Sequence, residues 1–190
     1  MISTNALVSI ERLFEESIRG NSVQGVEDAC VVSFRAGVSL AGETKGHRLV
    51  VFNISSYLFR IIALFDFDTD TATVSHLAKV MHRNNERLTG KDLLDAFGEF
   101  SNIICGEVSR GLATKFRHIG MSTPFFLENT CMSYISILEP LQVRSMEVTI
   151  NDDVYFRVIL CICVDKENNL DFHINQTEHQ TTPTGDLELF

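Results

Sequence analysis

The sequence predicts an α+β domain in which an antiparallel sheet packs under two long helices. Apolar residues recur at helical spacing near the N-terminus and again around residues 89–117, and strand-like apolar segments follow both stretches. Helix and strands therefore occur twice in order, as pseudo-two-fold halves with a helical insert between them. The chain of 190 residues fits one domain, expected over residues 1–175, with a weakly tethered tail at 176–190.

The first half is expected to contain a helix followed by a β-hairpin. Apolar residues at helical spacing from Leu7 to Ile18 predict the helix, with an N-cap among residues 3–5 and an end at Gly20. The segments Val26–Leu40 and Arg48–Ser55 have strand composition, and glycines 42 and 46 lie between them. This arrangement predicts that the two segments pair through a tight turn.

The middle of the chain is expected to be helical. An apolar segment at Tyr57–Phe65, capped by the serine at 55 or 56, predicts a short helix, and Thr73–Arg83 predicts a second. The longest helical pattern runs from about Thr89 to Arg117, and we expect one continuous helix from Lys91 to about Lys115.

The second half is expected to end in strands. Residues from Pro124 to Leu138 look extended, and Met146–Ile150 alternates apolar with polar residues as a half-buried strand does. The turn residues 151–153 then lead into Val154–Val164, which has the composition of a strand buried on both faces. The apolar face of the longest helix is expected to pack on a sheet that includes this strand.

Composition excludes several classes of protein. Hydrophobic residues make up 45% of the chain, which excludes a disordered chain. Sixteen basic residues against 25 acidic ones give a net charge of −9, which disfavours binding to nucleic acid or to an anionic membrane. No apolar run is long enough for a membrane helix, and the N-terminus lacks a basic segment typical of secretion signals. Five cysteines without framework spacing indicate reduced thiols and a cytoplasmic location.

One face of the longest predicted helix carries a polar constellation. Asp95, Glu99, Asn102 and Gly106 are spaced by four, three and four residues, so they share one face, opposite an apolar arc. Glycines at 98, 106 and 111 weaken a helix, which suggests that something approaches its backbone closely. The alternative from spacing alone is a solvated face whose glycines serve helix–sheet packing.

The segment Asp95-Ala-Phe-Gly-Glu99-Phe-Ser-Asn102-Ile-Ile-Cys-Gly106, followed by Ser122-Thr-Pro124, resembles the CheC/CheX family of chemotaxis phosphatases. The family signature is an acidic or serine residue, then Glu-x-x-Asn, a glycine shortly after, and a proline about twenty residues further on. The resemblance extends to the order of elements over roughly residues 3–172. It implies a fold like that of the family.

The resemblance implies hydrolysis of the aspartyl-phosphate on a phosphorylated response-regulator receiver domain. Glu99 corresponds to the glutamate that pairs with a lysine of the partner, and Asn102 to the asparagine that orients the attacking water. Asp95, Gly106 and Pro124 correspond to the supporting positions of the signature. Mg²⁺ would be supplied by the receiver domain, so no metal or cofactor site is expected in this chain. The resemblance also suggests a homodimer, formed through a sheet edge or the strands after Pro124.

Two departures from the family pattern leave alternatives open. The first predicted helix has Glu11, Glu15 and Glu16, but none is followed by asparagine three residues later. The chain therefore has one Glu-x-x-Asn site, as in CheX, where CheC-type members have two. The glycine-rich strand–helix join of the family is replaced by Phe52–Ser56. A catalytically idle scaffold and an unrelated α+β domain with a small-molecule pocket stay as alternatives.

Other motifs carry little functional signal. Asp66, Asp68 and Asp70 begin like a calcium-binding loop, but the glycine and the glutamate that such a loop needs are missing. A glycine pair at 37 and 42 imitates a phosphate-binding loop without its lysine. Cys161 and Cys163 share one face of a buried strand and are expected to be apolar core residues, and nothing cationic beside Cys105 suggests a reactive thiolate there.

Overall fold

The computed structural model describes residues 1–25, 27–37, 47–81, 88–165 and 167–174. Within these ranges the helices are α1 (Thr4–Asn21), α2 (Thr71–Val80), α3 (Gly90–Ala113) and a 3-10 helix (Asn129–Leu138). The strands are β1 (Cys30–Ala36), β2 (Arg48–Ser55), β3 (Phe59–Phe67), β4 (Gly120–Met121), β5 (Phe125–Glu128), β6 (Gln142–Ile150) and β7 (Val154–Val164).

The strands form one antiparallel sheet in the order β1-β6-β7-β3-β2-β4, and β5 pairs with β2 beside β4. Each half of the chain contributes a long helix, an edge strand and a hairpin, β2–β3 in the first half and β6–β7 in the second. Each edge strand pairs with the hairpin of the other half. The two halves are therefore interleaved, which matches the predicted pseudo-two-fold arrangement.

Helices α1 and α3 pack on one face of the sheet. The ring of Phe97 stacks on that of Phe67 with centroids 4.4 Å apart, and Phe100 meets Phe156 edge-on at 5.7 Å. Burial of these large side chains anchors one side of α3 on β3 and β7. The opposite side of α3 is thereby left toward solvent.

The other face of the sheet is partly covered by the 3-10 helix. Met132 and Ile135 of this helix are buried in a second apolar cluster with Leu49, Leu64 and Ile159. Strands β2, β3 and β7 are consequently buried on both faces, as residues 154–164 were expected to be. The segment that leads from α3 to this helix passes along the sheet edge and carries β4 and β5.

Local hydrogen bonds explain where the helices begin. The Ser3 hydroxyl accepts from the Ala6 amide at 3.1 Å and caps α1, and the Asp70 carboxylate accepts from the Thr73 amide at 2.7 Å and caps α2. Glu107 of α3 accepts from the Ser17 hydroxyl of α1 at 2.6 Å, which links the two long helices.

Most predicted elements are confirmed. The structure contains the α+β architecture, the first helix, the continuous long helix and both strands of the last hairpin. The helix expected over Thr73–Arg83 is present as α2, which ends at Val80.

Three local predictions are wrong. β1 pairs with β6 instead of forming a hairpin with β2, and the segment Tyr57–Phe65 forms most of β3 rather than a helix. A strand buried on both faces has a continuous apolar sequence, so its periodicity does not separate it from a short buried helix. The stretch Pro124–Leu138 is extended only through Glu128 and then forms the 3-10 helix.

Some predictions fall outside the described residues. These are the turn glycines 42 and 46, the phosphate-loop-like segment beyond Gly37, and the tail at 176–190. Among the residues that are described, no helix combines the length and apolar character needed to cross a membrane.

Candidate functional site

A cleft of about 510 Å³ lies between α3 and the segment that carries β4 and β5. Helix α3 supplies one wall, and residues around the β4–β5 link supply the other. The lining residues are Asp95, Gly98, Glu99, Asn102, Met121, Ser122, Thr123, Pro124 and Phe126.

The helical wall follows from the amphipathic pattern of α3. Phe97, Phe100 and Ile104 are buried on the sheet side, and because a helix repeats every 3.6 residues, Asp95, Glu99 and Asn102 project on the exposed side. The sequence-predicted carboxylate and carboxamide are thus neighbours on one face, at the mouth of the cleft.

Two hydrogen bonds to β2 hold the opposite wall of the cleft against the sheet. The Ser122 amide donates to the Asn53 carbonyl at 2.9 Å, and the Asn53 amide donates to the Ser122 hydroxyl at 3.0 Å. This reciprocal pair holds the link after Met121 against β2. Pro124 and Phe126 follow at once, so their positions relative to α3 are fixed by the sheet.

Gly98 allows the two walls to meet at the floor of the cleft. A Cβ atom built at Gly98 would lie 3.0 Å from Cζ of Phe126 and 3.6 Å from Cγ of Pro124. This space is taken by side chains of the same protein. The close approach that was expected from the glycines of this helix is, at Gly98, packing inside the molecule.

The two walls differ in chemistry. Asp95 and Glu99 place carboxylates on the helical wall, whereas Met121, Pro124 and Phe126 make the facing wall largely apolar. None of the described lining residues is cationic. The electrostatics therefore favour a positively charged group in the cleft and oppose a free anion. Asn102 adds a neutral side chain with both a donor and an acceptor.

The structure brings four of the five predicted site residues together. Asp95, Glu99, Asn102 and Pro124 all line the cleft. Gly106 is not among the lining residues, because it lies one turn beyond Asn102. The nearest atom to a Cβ at Gly106 would be a guanidinium nitrogen of Arg110 at 3.7 Å, so the helix surface is open there.

Glu99 also borders a second cleft, of about 650 Å³, on its other side. This cleft lies between the C-terminal ends of α1 and α2 and the exposed part of α3 around Ile103. Glu99 thus lies on the ridge between the two clefts and lines both of them.

Sequence reasoning missed the apolar residues of the facing wall. Met121 and Phe126 line the cleft but were not predicted as site residues. The only indication of an apolar wall in the sequence was the pair of phenylalanines directly after Pro124. Without the pairing of β5 with β2, the sequence does not say which of the two rings faces α3.

The rejected motifs have structural explanations. Asp66 is buried and accepts hydrogen bonds from His47, Asn129 and Arg157, so the calcium-loop resemblance is coincidental. No group of metal-ligating side chains is found in the described part of the chain. Burial raises the pKa of the Cys105 thiol and raises that of Cys161 to about 12, which disfavours thiolates.

The comparisons with known proteins give a family match over part of the chain and a shared fold over most of it. Residues 60–151, which include α3 and Pro124, match the family model described as chemotaxis phosphatase CheX. No curated protein sequence matches the chain.

Solved structures share the fold at low sequence identity. A CheX–CheY–BeF₃–Mg²⁺ complex from Borrelia burgdorferi matches with a TM-score of 0.59 and 14% identity, over 84% of this chain and 99% of that one. A CheC-like superfamily protein from Shewanella sp. PV-4 has a TM-score of 0.57 and 11% identity, over 85% and 99% of the two chains. CheX from Vibrio vulnificus has a TM-score of 0.56 and 15% identity, over 83% of this chain and 99% of that one. Residues 60–151 therefore match the CheX family model, and the chain shares the fold of CheX and CheC-like proteins.

Proposed function

We propose that this chain is a phosphatase that hydrolyses the aspartyl-phosphate of a response-regulator receiver domain. The observation that carries the proposal is the joint exposure of Glu99 and Asn102 on one face of α3, in a cleft closed by Pro124. The match of residues 60–151 to the CheX phosphatase model supports the reaction class. The CheY partner of the Borrelia relative supports a CheY-like receiver as substrate.

Glu99 is proposed to dock the receiver through a lysine of the partner. Its carboxylate lies on a ridge between two clefts and on an acidic wall with Asp95, where a cation is favoured. Such a pair contributes mainly to association rate and orientation. It would place Asn102, one turn further along α3, beside the phosphoryl group.

Asn102 is proposed to position the attacking water. The water oxygen bonds to phosphorus as the bond from phosphorus to the aspartyl oxygen breaks, which releases phosphate and a free aspartate. Phosphoryl transfer depends on in-line placement and charge neutralisation more than on covalent help from the enzyme. A carboxamide can orient water through its donor and its acceptor without adding negative charge next to the phosphoryl group.

We propose that Mg²⁺ is held by the receiver domain, and that this chain contributes only the asparagine, the docking carboxylate and the shape of the cleft. In this division of labour neither protein contains the whole site. The pairing of the two surfaces therefore selects the substrate. Receiver domains act inside the cell, so the proposal places this chain in the cytoplasm.

The direct test is to add the protein to a panel of phosphorylated receiver domains from its own cell and to follow phosphate loss. We expect faster release from at least one receiver, and no acceleration by the Asn102→Ala variant. Unchanged dephosphorylation across the whole panel would reject the phosphatase. Tight binding to a receiver without acceleration would instead support the idle scaffold, which the departure at Phe52–Ser56 favours.

A further inference from the structure

The register of β5 determines which aromatic side chain enters the cleft. Phe126 pairs with Val50, which belongs to the apolar cluster on the helix side, whereas Phe125 pairs with Val51 of the opposite side. Paired residues of antiparallel strands point to the same face. Phe126 therefore faces α3, and Phe125 faces away from it.

The ring of Phe126 sits on the backbone of α3 rather than in the core. Its contact with α3 is at Gly98, next to Glu99, where a Cβ would come within 3.0 Å of Cζ. The residue is nonetheless 39% exposed. Part of the ring thus forms the cleft floor, and part of its surface is available to a bound molecule.

We propose that Phe126 is a specificity-determining residue, which receives an apolar side chain of the receiver domain next to the cation that pairs with Glu99. The inference rests on the proposed function and adds the chemistry of the partner. The cleft has an acidic wall and an apolar wall, so its complement is a segment that carries a basic and an apolar side chain side by side. A receiver with the basic side chain alone leaves the ring of Phe126 without a partner.

The wall is preorganised for this role. The two hydrogen bonds between Ser122 and Asn53 hold the link that precedes Phe126, and β5 pairs with β2 through Phe126 itself. Because the wall is already ordered, binding costs little conformational entropy there. Most of the free energy of the apolar contact therefore contributes to the affinity.

Steady-state kinetics of Phe126→Ala on the phosphorylated receiver test the inference, with Phe125→Ala as the matched control. The two residues are adjacent, similarly exposed and on opposite faces of β5. We expect Phe126→Ala to raise KM by roughly tenfold, the effect of losing a contact of about 1.4 kcal/mol, and to leave kcat within about twofold. Phe125→Ala should leave both constants within about twofold.

A second variant tests the contact between the Phe126 ring and α3 from the helix side. Gly98→Ala requires the Phe126 ring to move by a few tenths of an ångström, so KM should rise. The double variant Gly98→Ala/Phe126→Leu, with a shorter side chain at 126, should recover part of the loss. Circular dichroism of each variant reports whether the fold is kept.

The outcomes separate this inference from the proposed function. A wild-type chain that dephosphorylates no receiver overturns both. Normal turnover by wild type, with Phe126→Ala indistinguishable from Phe125→Ala, overturns the inference and leaves the phosphatase in place. A fall in kcat without a rise in KM also overturns it, because Phe126 would then act on the chemical step and not on recognition.

Discussion

Asp66 of β3 accepts a hydrogen bond of 2.7 Å from the guanidinium of Arg157, its cross-strand partner on β7. The other carboxylate oxygen accepts from the Asn129 amide at 2.8 Å and faces His47 Nδ1 at 2.9 Å. Asp66 is only 1% exposed. One buried carboxylate therefore joins β3, β7, the residue that precedes β2 and the start of the 3-10 helix, on the face opposite the cleft.

The hydrogen bonds of Asp66 predict a large loss of stability when its carboxylate is replaced by a neutral side chain. Asp66→Asn keeps the shape but removes the charge that three donors face, so we expect a loss of about 2–3 kcal/mol in the free energy of unfolding. Urea denaturation measures this value. The matched control is Asp68→Asn, whose carboxylate is 39% exposed and 3.6 Å from His47, and it should cost less than about 1 kcal/mol. Equal losses in the two variants would contradict the greater contribution of the buried Asp66 carboxylate to stability.

The sequence predicted the elements whose periodicity comes from one buried face. Helix α3 is an example. Phe97, Phe100 and Ile104 are buried and Asn102 is exposed, as their spacing on opposite sides of a helix predicts. The polar face of the candidate site was predictable for the same reason. Its residues lie within three turns of a single helix, so their proximity needs no tertiary information.

Features that depend on pairing between distant segments were not predictable. β1 pairs with β6 across more than a hundred residues, and no local signal distinguishes this from a hairpin with β2. The facing wall of the cleft has the same origin, because Phe126 reaches Gly98 only through the pairing of β5 with β2. Long-range strand pairing is thus what the sequence left undetermined in both the fold and the site.

Gly106→Ala tests whether the partner approaches the helix beyond Asn102. A Cβ there meets only the flexible Arg110 side chain at 3.7 Å, and alanine is the better helix former. Stability should therefore rise by about 0.5–1 kcal/mol in thermal or urea unfolding. If the receiver packs against this open backbone, the same variant should weaken receiver binding several-fold. Greater stability with unchanged binding would show that Gly106 has no supporting role in docking.

The two buried thiols should resist alkylation in the folded protein. Cys105 and Cys161 are fully buried, and burial raises both pKa values, that of Cys161 to about 12. A pH of 9 is three units below the Cys161 pKa of about 12, so only about 0.001 of this thiol is ionised to the thiolate. Pulse labelling with iodoacetamide and mass spectrometry should modify these two only after denaturation. The half-buried Cys131 serves as the internal comparison and should react sooner.

We expect a homodimer formed through a sheet edge. No strand in the described ranges pairs with the outer side of β1 or β5, and both edges expose apolar side chains, among them Val31 and Leu127. Light scattering at micromolar concentration should give twice the 21.4 kDa mass of the chain. Val31→Lys and Leu127→Lys place a charge on one edge each, and the variant that gives a monomer identifies the interface. A wild-type protein with the monomer mass would refute the dimer.

Asn102 and Glu99 should fail in different ways when they are changed. Asn102→Ala removes the group proposed to position water, so turnover should fall by about 10²–10³, the effect of losing about 2.7–4 kcal/mol of transition-state stabilisation, with receiver binding nearly intact. Glu99→Ala should instead weaken binding, and Glu99→Lys should weaken it further through repulsion of the lysine that is proposed on the partner. Both side chains are on the exposed face of α3, so unfolding free energies should stay within about 0.5 kcal/mol of wild type. The measurement is binding and turnover of each variant on one phosphorylated receiver. Wild-type turnover by Asn102→Ala would exclude the water-positioning mechanism, since no other described residue of the cleft combines a carboxamide with that position.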